Sequence, residues 1–255
     1  MSDTLGLSGT RQIDGSLDSP KDPPSFTQAQ IVSAASPTSF VALAPGSIFS
    51  IYGDRLAENA ASAQAPLPLP TDLGNAKVII GDKFAPLFYA DQGQINAMVP
   101  YGLKTNTTHQ LYIQRGFTYS RPVPVDVAPA QPGVFIRGGA AIAYAYRGDA
   151  PAFLVTSQAP AHAGDALVLY CGGLGLPNQT VTDGAASPSA TVQDSVTATI
   201  GGQPAQVAYA GLVAGQVGLY QVNLTVPPGV TPSDAAPLIL TVSGQASPPA
   251  NLAVR

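Results

Sequence analysis

The chain of 255 residues has no tryptophan, a single cysteine, two methionines and two histidines, and only 10% of its residues are charged. Each shortage excludes something. Cys171 has no partner for an intrachain disulfide, and within Leu167-Val168-Leu169-Tyr170-Cys171 it reads as a small buried hydrophobe. His109 and His162 are too few for a histidine-rich metal centre, and both read as surface residues. Lys and Arg total 11 against 15 Asp and Glu, giving a net charge of −4 with no basic run. The basic stripe of a nucleic-acid binder is therefore missing, and so is attraction to an anionic membrane surface. No apolar window reaches the ~18 residues of a membrane-spanning helix. So few charges also argue against a mainly helical protein, whose exposed faces want Lys, Glu and Arg.

Catalytic signatures are missing too. No Gly-X-Ser-X-Gly elbow occurs, so a serine hydrolase lacks its nucleophile. Gly172-Gly173-Leu174-Gly175 lacks the Lys-Ser/Thr and the helix of a phosphate loop and reads as a turn. Asp14, Ser16, Asp18 and Asp22 match no calcium-loop template, and prolines intervene. Arg147-Gly148-Asp149 spells a cell-attachment tripeptide, but three-residue matches arise by chance and a turn is expected. No catalytic residue, metal ligand or cofactor is expected, and no ligand-binding residue is assigned. Residues 1–30 lack the basic start and apolar core of a signal peptide. A chain that begins after such a peptide is expected, in preference to one not exported by that route.

What the sequence does have is 26 Gly, 25 Pro and 45% hydrophobic residues. That combination is too apolar for disorder and fits many short strands joined by Gly/Pro turns. Self-similarity then organises the chain. Pro45-Gly46-Ser47-Ile48-Phe49-Ser50-Ile51-Tyr52 returns as Ala163-Gly164-Asp165-Ala166-Leu167-Val168-Leu169-Tyr170. Ile80-Gly81-Asp82 with Pro86-Leu87-Phe88-Tyr89-Ala90 returns as Ile200-Gly201-Gly202 with Gln206-Val207-Ala208-Tyr209-Ala210. Gln94-Ile95-Asn96-Ala97-Met98-Val99-Pro100 returns as Gln221-Val222-Asn223-Leu224-Thr225-Val226-Pro227. Three blocks in one order imply two copies of a single domain.

Each copy reads as about seven strands with turns every ~8–12 residues, the spacing of an immunoglobulin-like β-sandwich. The fold class expected is all-β: two tandem immunoglobulin-like sandwiches, residues 31–130 and 131–255, behind a polar N-terminal extension, residues 1–30. Val78-Ile79-Ile80-Gly81-Asp82 opens a hairpin, and Phe135 to Tyr146 an extra hairpin at the start of the second copy. Ala128-Pro129-Ala130-Gln131-Pro132-Gly133 is a stiff hinge. Pro66-Leu67-Pro68-Leu69-Pro70 is a polyproline-like connection, and a turn or two of helix is expected in residues 58–65. Tyr52/Tyr170 and Tyr89/Tyr209 occupy repeat positions that look like core or corner. The repeated amides Gln94/Asn96 and Gln221/Asn223 read as structural, bonding to loop backbone.

These blocks resemble a family of tandem β-sandwich domains that recurs at the C-termini of secreted and surface proteins in acidobacteria, the Solibacter-type C-terminal domain. The resemblance runs through Ile31-Val32-Ser33-Ala34-Ala35-Ser36, Ala44-Pro45-Gly46-Ser47-Ile48, Ala85-Pro86-Leu87-Phe88-Tyr89, Val99-Pro100-Tyr101-Gly102 and Val217-Gly218-Leu219-Tyr220-Gln221-Val222-Asn223, covering residues 31–255. It implies an extracellular or cell-surface location and an immunoglobulin-like fold, and no activity. Such domains usually end long multi-domain chains, whereas here the pair stands almost alone behind 30 polar residues.

The function expected is a non-enzymatic extracellular or cell-surface structural or adhesion module. Its partners would be other protein subunits or surface components, a homo-oligomer among them. The N-terminal extension suggests self-assembly, with Thr4-Leu5-Gly6-Leu7 or residues 25–31 pairing with the open sheet edge of a neighbour. The alternative is a carbohydrate- or matrix-binding module of a larger secreted protein, with glycan as partner. Lack of tryptophan weakens that alternative, and clustered exposed tyrosines would strengthen it.

Overall fold

Apolar and polar residues alternate along most segments between the Gly/Pro turns, and the chain uses those segments as strands. The computed structural model describes residues 22–35 and 42–255, almost wholly as strands and turns. Among the described residues the one helical element is a 3-10 turn, Gln28–Gln30. The fold is all-β, two tandem immunoglobulin-like sandwiches, and the buried side chains form two separate clusters. One contains Ile31 to Val127, with Phe49, Ile51, Ile95 and Leu111 fully buried. The other contains Ala130 to Val254, centred on Leu167, Leu169, Val222 and Leu238. Burying one such side chain stabilises by about 1.5–3 kcal/mol.

In the N-terminal sandwich one sheet orders its strands Ile31–Ser33, Ile48–Tyr52, Gln94–Met98, Leu87–Ala90, Ala61–Ser62. The other orders them Val123–Val127, Thr107–Arg115, Ala76–Ile80, Lys83–Phe84. In the C-terminal sandwich a single strand, Gln203–Leu212, belongs to both layers. Residues 203–205 pair with Val196–Ile200, and residues 206–212 pair with Tyr220–Thr225. Where the second copy has Gln206, paired with Thr225, the first has Pro86, which has no N–H for a ladder and lies between the separate strands Lys83–Phe84 and Leu87–Ala90. The predicted hairpins form, with positive φ at Gly81, Gly201 and Gly202. The extra hairpin forms as Ile136–Arg137 against Ala140–Ala141.

Two local expectations fail, and a third segment has partners of its own within the chain. Residues 58–65 form no helix. Instead Ala61–Ser62 pairs with Tyr89–Ala90, and Ala63 N–H reaches Phe88 O at 2.9 Å, since an edge ladder outcompetes a helix too short to nucleate. The proline-rich connection is not a continuous polyproline helix; it bends, with cis bonds at Ala65–Pro66 and Leu67–Pro68. Residues 25–31 do not wait for a neighbour. Ser25 and Asp54 exchange both backbone hydrogen bonds, at 3.0 and 2.9 Å. Phe26 packs on the first core, and Ile31–Ser33 pairs with Phe49–Ile51. Ser25 and Ile31–Ser33 are thus paired within the chain, with Ile31–Ser33 as the edge strand of its sheet. Thr4–Leu7 and the residues Asp14, Ser16 and Asp18 lie outside the described residues.

The Arg147-Gly148-Asp149 turn forms, with Gly148 at φ +54. Its arginine is anchored: Nε and Nη2 reach the two Asp165 oxygens at 2.9 and 2.7 Å, and Nη2 also reaches Pro160 O. The Arg147 guanidinium, helped by the His162 N–H, holds the Asp165 carboxyl below its ordinary value against the opposing effect of burial. A depressed folded pKa adds stability that is complete above the unfolded value, about 3.9, and is lost as pH falls through the folded one. Asp165→Asn is expected to cost roughly 1–3 kcal/mol at neutral pH, discounted because Arg147 is 43% exposed. It should also flatten the loss of stability below about pH 4, where the wild-type carboxyl titrates. Thermal melts by circular dichroism between pH 7 and 2 would check both effects; parallel curves for the two proteins would contradict the assignment.

Candidate ligand-binding face

In both sandwiches the outer face of one sheet carries the same four side chains in the same register. The central strand presents two amides two residues apart, so both point outward. They are Gln94 and Asn96 in the first copy, Gln221 and Asn223 in the second. Tyr52 sits opposite Gln94, and Tyr170 opposite Gln221. On the other side Tyr89 sits opposite Asn96, and Tyr209 opposite Asn223. That second pairing depends on a shift of register just before each tyrosine, between Leu87 and Tyr89 and between Val207 and Tyr209. One extra residue in the strand re-aims the tyrosine to the outer face.

The expected roles of both residue types change. Tyr52 is 43% exposed, and Tyr89, Tyr170 and Tyr209 are half-buried, so none is core. Period-2 patterning left this open, because Ile48 and Tyr52 on one face and Phe49 and Ile51 on the other put large apolar groups on both sides of the strand. Nor do the amides serve loop backbone. Gln94 Nε2 donates to Asn96 Oδ1 at 2.7 Å, and Gln221 Nε2 donates to Asn223 Oδ1 at the same distance. Ser50 Oγ adds a bond to Asn96 Oδ1 at 2.8 Å. Each pair is thus oriented by itself and keeps outward-facing capacity: one Gln N–H, the Gln oxygen and both Asn N–H groups.

Tyr89 and Tyr209 are fixed as well. Tyr89 donates its hydroxyl to Asp91 Oδ2 at 2.6 Å, and Tyr209 donates to Leu212 O at 3.1 Å. The Tyr89 hydroxyl holds the Asp91 carboxyl below its ordinary value, helped by the Gly93 and Gln94 N–H groups. Tyr209 lies over Gly211, whose missing side chain would come within 2.5 Å of the tyrosine oxygen. Beside the second quartet Tyr144 packs edge-on to Tyr170, with ring centroids 6.3 Å apart, and Tyr146 is 46% exposed. A depression of about 280 Å³ lies against Tyr209, Gln221 and Asn223, and one of about 490 Å³ against Tyr52, Asp91 and Gln94.

Other candidates resolve differently. Cys171 is fully buried, and burial pushes its thiol far up, so it supplies no thiolate. His162 is exposed, and half-buried His109 bonds to Lys104 O at 2.8 Å through Nε2. Gly172-Gly173-Leu174-Gly175 is no turn. It runs beneath the hinge, with Gln131 N–H donating to Gly173 O at 2.8 Å. The hinge is accordingly not free: Ala130 is fully buried in the second core. Among the described residues no three His, Cys, Asp or Glu gather as a metal group, and no helix is long and apolar enough to cross a membrane.

No protein-family model and no curated protein matches the chain. Among solved structures, a surface glycan-binding protein of Prevotella bryantii aligns with 89% of this chain and 41% of its own, at 11% identity and TM-score 0.28. The SGBP-B protein of a xyloglucan utilization locus in Bacteroides uniformis aligns with 90% of this chain and 49% of its own, at 13% identity and TM-score 0.25. Domains 5–6 of the S-layer protein SbsC align with 91% of this chain and 98% of their own, at 14% identity and TM-score 0.29. This chain spans less than half the length of either glycan-binding protein. Likeness at this level says nothing about ligand or partner.

Proposed function

We propose that the chain is a non-enzymatic extracellular surface module whose two sandwiches act as one stiff tandem unit, serving as spacer and adhesive element. The observation that carries this reading is the seam between them. Tyr220 of the second sandwich is fully buried and donates its hydroxyl to Gly175 O at 2.7 Å, with Pro45 O of the first sandwich 3.5 Å away. Tyr101 N–H donates to Asp183 Oδ1 at 2.8 Å, and Leu69 N–H to Gly184 O at 2.8 Å. Gly218 and Gly46 come close enough that a side chain on Gly218 would lie 2.9 Å from Gly46 O. Contacts spread over several loops resist bending in more than one direction, unlike a single flexible linker. The resemblance of the repeat blocks to secreted C-terminal domains supports the surface location.

Residual dipolar couplings test the stiffness. One alignment tensor for both sandwiches is the expected result, and two unequal tensors would remove the stiff-unit reading. Protease shaving of intact source cells tests the location, since a protein protected until lysis is not on the surface.

A further inference from the structure

The repeated quartets have a chemistry that the fold itself does not use. The amides bond to one another and, in the first copy, to Ser50; no backbone group relies on them. A side-chain pair that satisfies no buried group contributes little to stability, yet it appears twice with the same geometry. The register shift that turns each tyrosine outward is repeated too. Such irregularities commonly re-aim a side chain beside a functional site.

What remains is a pre-oriented set of amide donors and acceptors between two aromatic rings. The flanking tyrosines stand on strands either side of the amide strand, roughly 10 Å apart at the usual strand spacing. Amides held in place match ligands that offer many hydroxyls, each both donor and acceptor. Tyrosine faces match the apolar C–H faces of sugar rings and offer an amphipathic surface at low entropic cost. Charge narrows the class. The second quartet's depression is lined by Ser189, Tyr209, Leu212, Val213, Gln221 and Asn223, among other uncharged residues. The charged residues that line the first quartet's depression are the carboxylates Glu58 and Asp91. Neither depression is lined by a cation for an acidic sugar, and the first would repel one.

We infer that each sandwich binds a neutral polysaccharide through its tyrosine–amide–amide–tyrosine quartet, with two stations on one stiff chain. The second station, widened by Tyr144 and Tyr146, is the stronger. This inference rests on the adhesive reading above and names its target. Two stations held at fixed separation bind a long chain by avidity, which multiplies the affinity of one station provided that the polymer spans both.

Affinity electrophoresis through gels containing hydroxyethyl cellulose, galactomannan, arabinoxylan or the anionic polygalacturonate tests it, using residues 1–255. At least one neutral polymer is expected to retard the chain, and polygalacturonate is not. Tyr209→Ala with Gln221→Ala and Asn223→Ala should weaken retardation about tenfold or more. Tyr89→Ala with Gln94→Ala and Asn96→Ala should weaken it less, and the six changes together should abolish it. Because a tyrosine-to-alanine change can disturb packing, Gln221→Ala with Asn223→Ala alone provides the second arm. It should weaken retardation severalfold while the melting temperature stays within a few degrees of wild type, whereas a purely structural amide pair would show the reverse. Retention of binding by the six-fold variant would overturn the inference. So would a chain retarded by no neutral polymer, or only by polygalacturonate. A chain with one alignment tensor and no retardation would sink the stations and leave the stiff surface module standing.

Discussion

Gly173→Ala is expected to cost roughly 3–5 kcal/mol and to lower the melting temperature by about 10 °C. Two effects combine. Gly173 has φ +72, a conformation that costs a residue with a side chain about 1–2 kcal/mol. Its added methyl would also lie 1.9 Å from Gln131 O and 2.7 Å from Gln131 C. Those atoms are backbone, so no rotamer change relieves the clash. The hinge would have to lift, taking buried Ala130 out of the second core and breaking the 2.8 Å bond from Gln131 N–H to Gly173 O. Gly202→Ala is the control, since Gly202 has φ +81 and nothing within 4 Å of the added carbon. It should show the conformational cost alone, about 1–2 kcal/mol. Thermal or urea unfolding of the two variants measures the difference. Equal losses would mean that the hinge does not bear on the glycine strip.

The second large effect compares one repeat position in its two copies. Gly46 and Gly164 have φ +76 and +88, so alanine strains both backbones alike. At Gly164 nothing lies within 4 Å. At Gly46 the new carbon would meet Tyr101 Cε1 at 2.4 Å and Tyr220 Oη at 2.5 Å. Displacing Tyr220 breaks its bond to Gly175 O and leaves a hydroxyl buried without a partner, which with the clash adds roughly 2–4 kcal/mol. Gly46→Ala should therefore melt well below Gly164→Ala. Alkaline titration gives a second readout. Burial pushes the Tyr101 hydroxyl up to about 12 and the Tyr220 hydroxyl well above its ordinary value. For an acid whose folded pKa is raised, the unfolded chain loses its proton first, so native stability declines from about pH 10 upward. In Gly46→Ala an extra fraction of the tyrosine absorbance should titrate near pH 10. If the two variants gave the same alkaline spectra and melting temperatures, the seam would not involve this turn.

The strands, the hairpins at Gly81 and Gly201 and the anchoring repeat were legible because they follow from local patterning and from a duplication visible in the letters. The turn at Arg147 was legible for the same reason. What escaped depends on residues far apart in sequence. Gly173 and Gly175 look like a turn until Pro129 and Gln131 are known to lie across them, with Pro129 O 2.6 Å from where a Gly175 side chain would begin. The exposure of Tyr89 and Tyr209 depends on one extra residue in a strand, which leaves no mark in composition or period. The amides were recognised as repeated and polar, but their partners were misjudged, because an i, i+2 pair on a strand face can satisfy itself. The hinge was read as stiff from its prolines, but nothing local showed that small Ala130 is buried within the second core.

The segment before Ile31 has one more consequence. Ser25 and Asp54 prolong the pairing at one margin of the first sheet, and Phe26 lies over the core beside it. A protein shortened to residues 31–255 would bare the Asp54 amide and carbonyl together with the apolar patch beneath Phe26. Unpaired margins of that kind recruit other chains. Removing the segment should then increase clumping relative to the intact protein, because Ser25 and Phe26 lie as a sheath on the sheet.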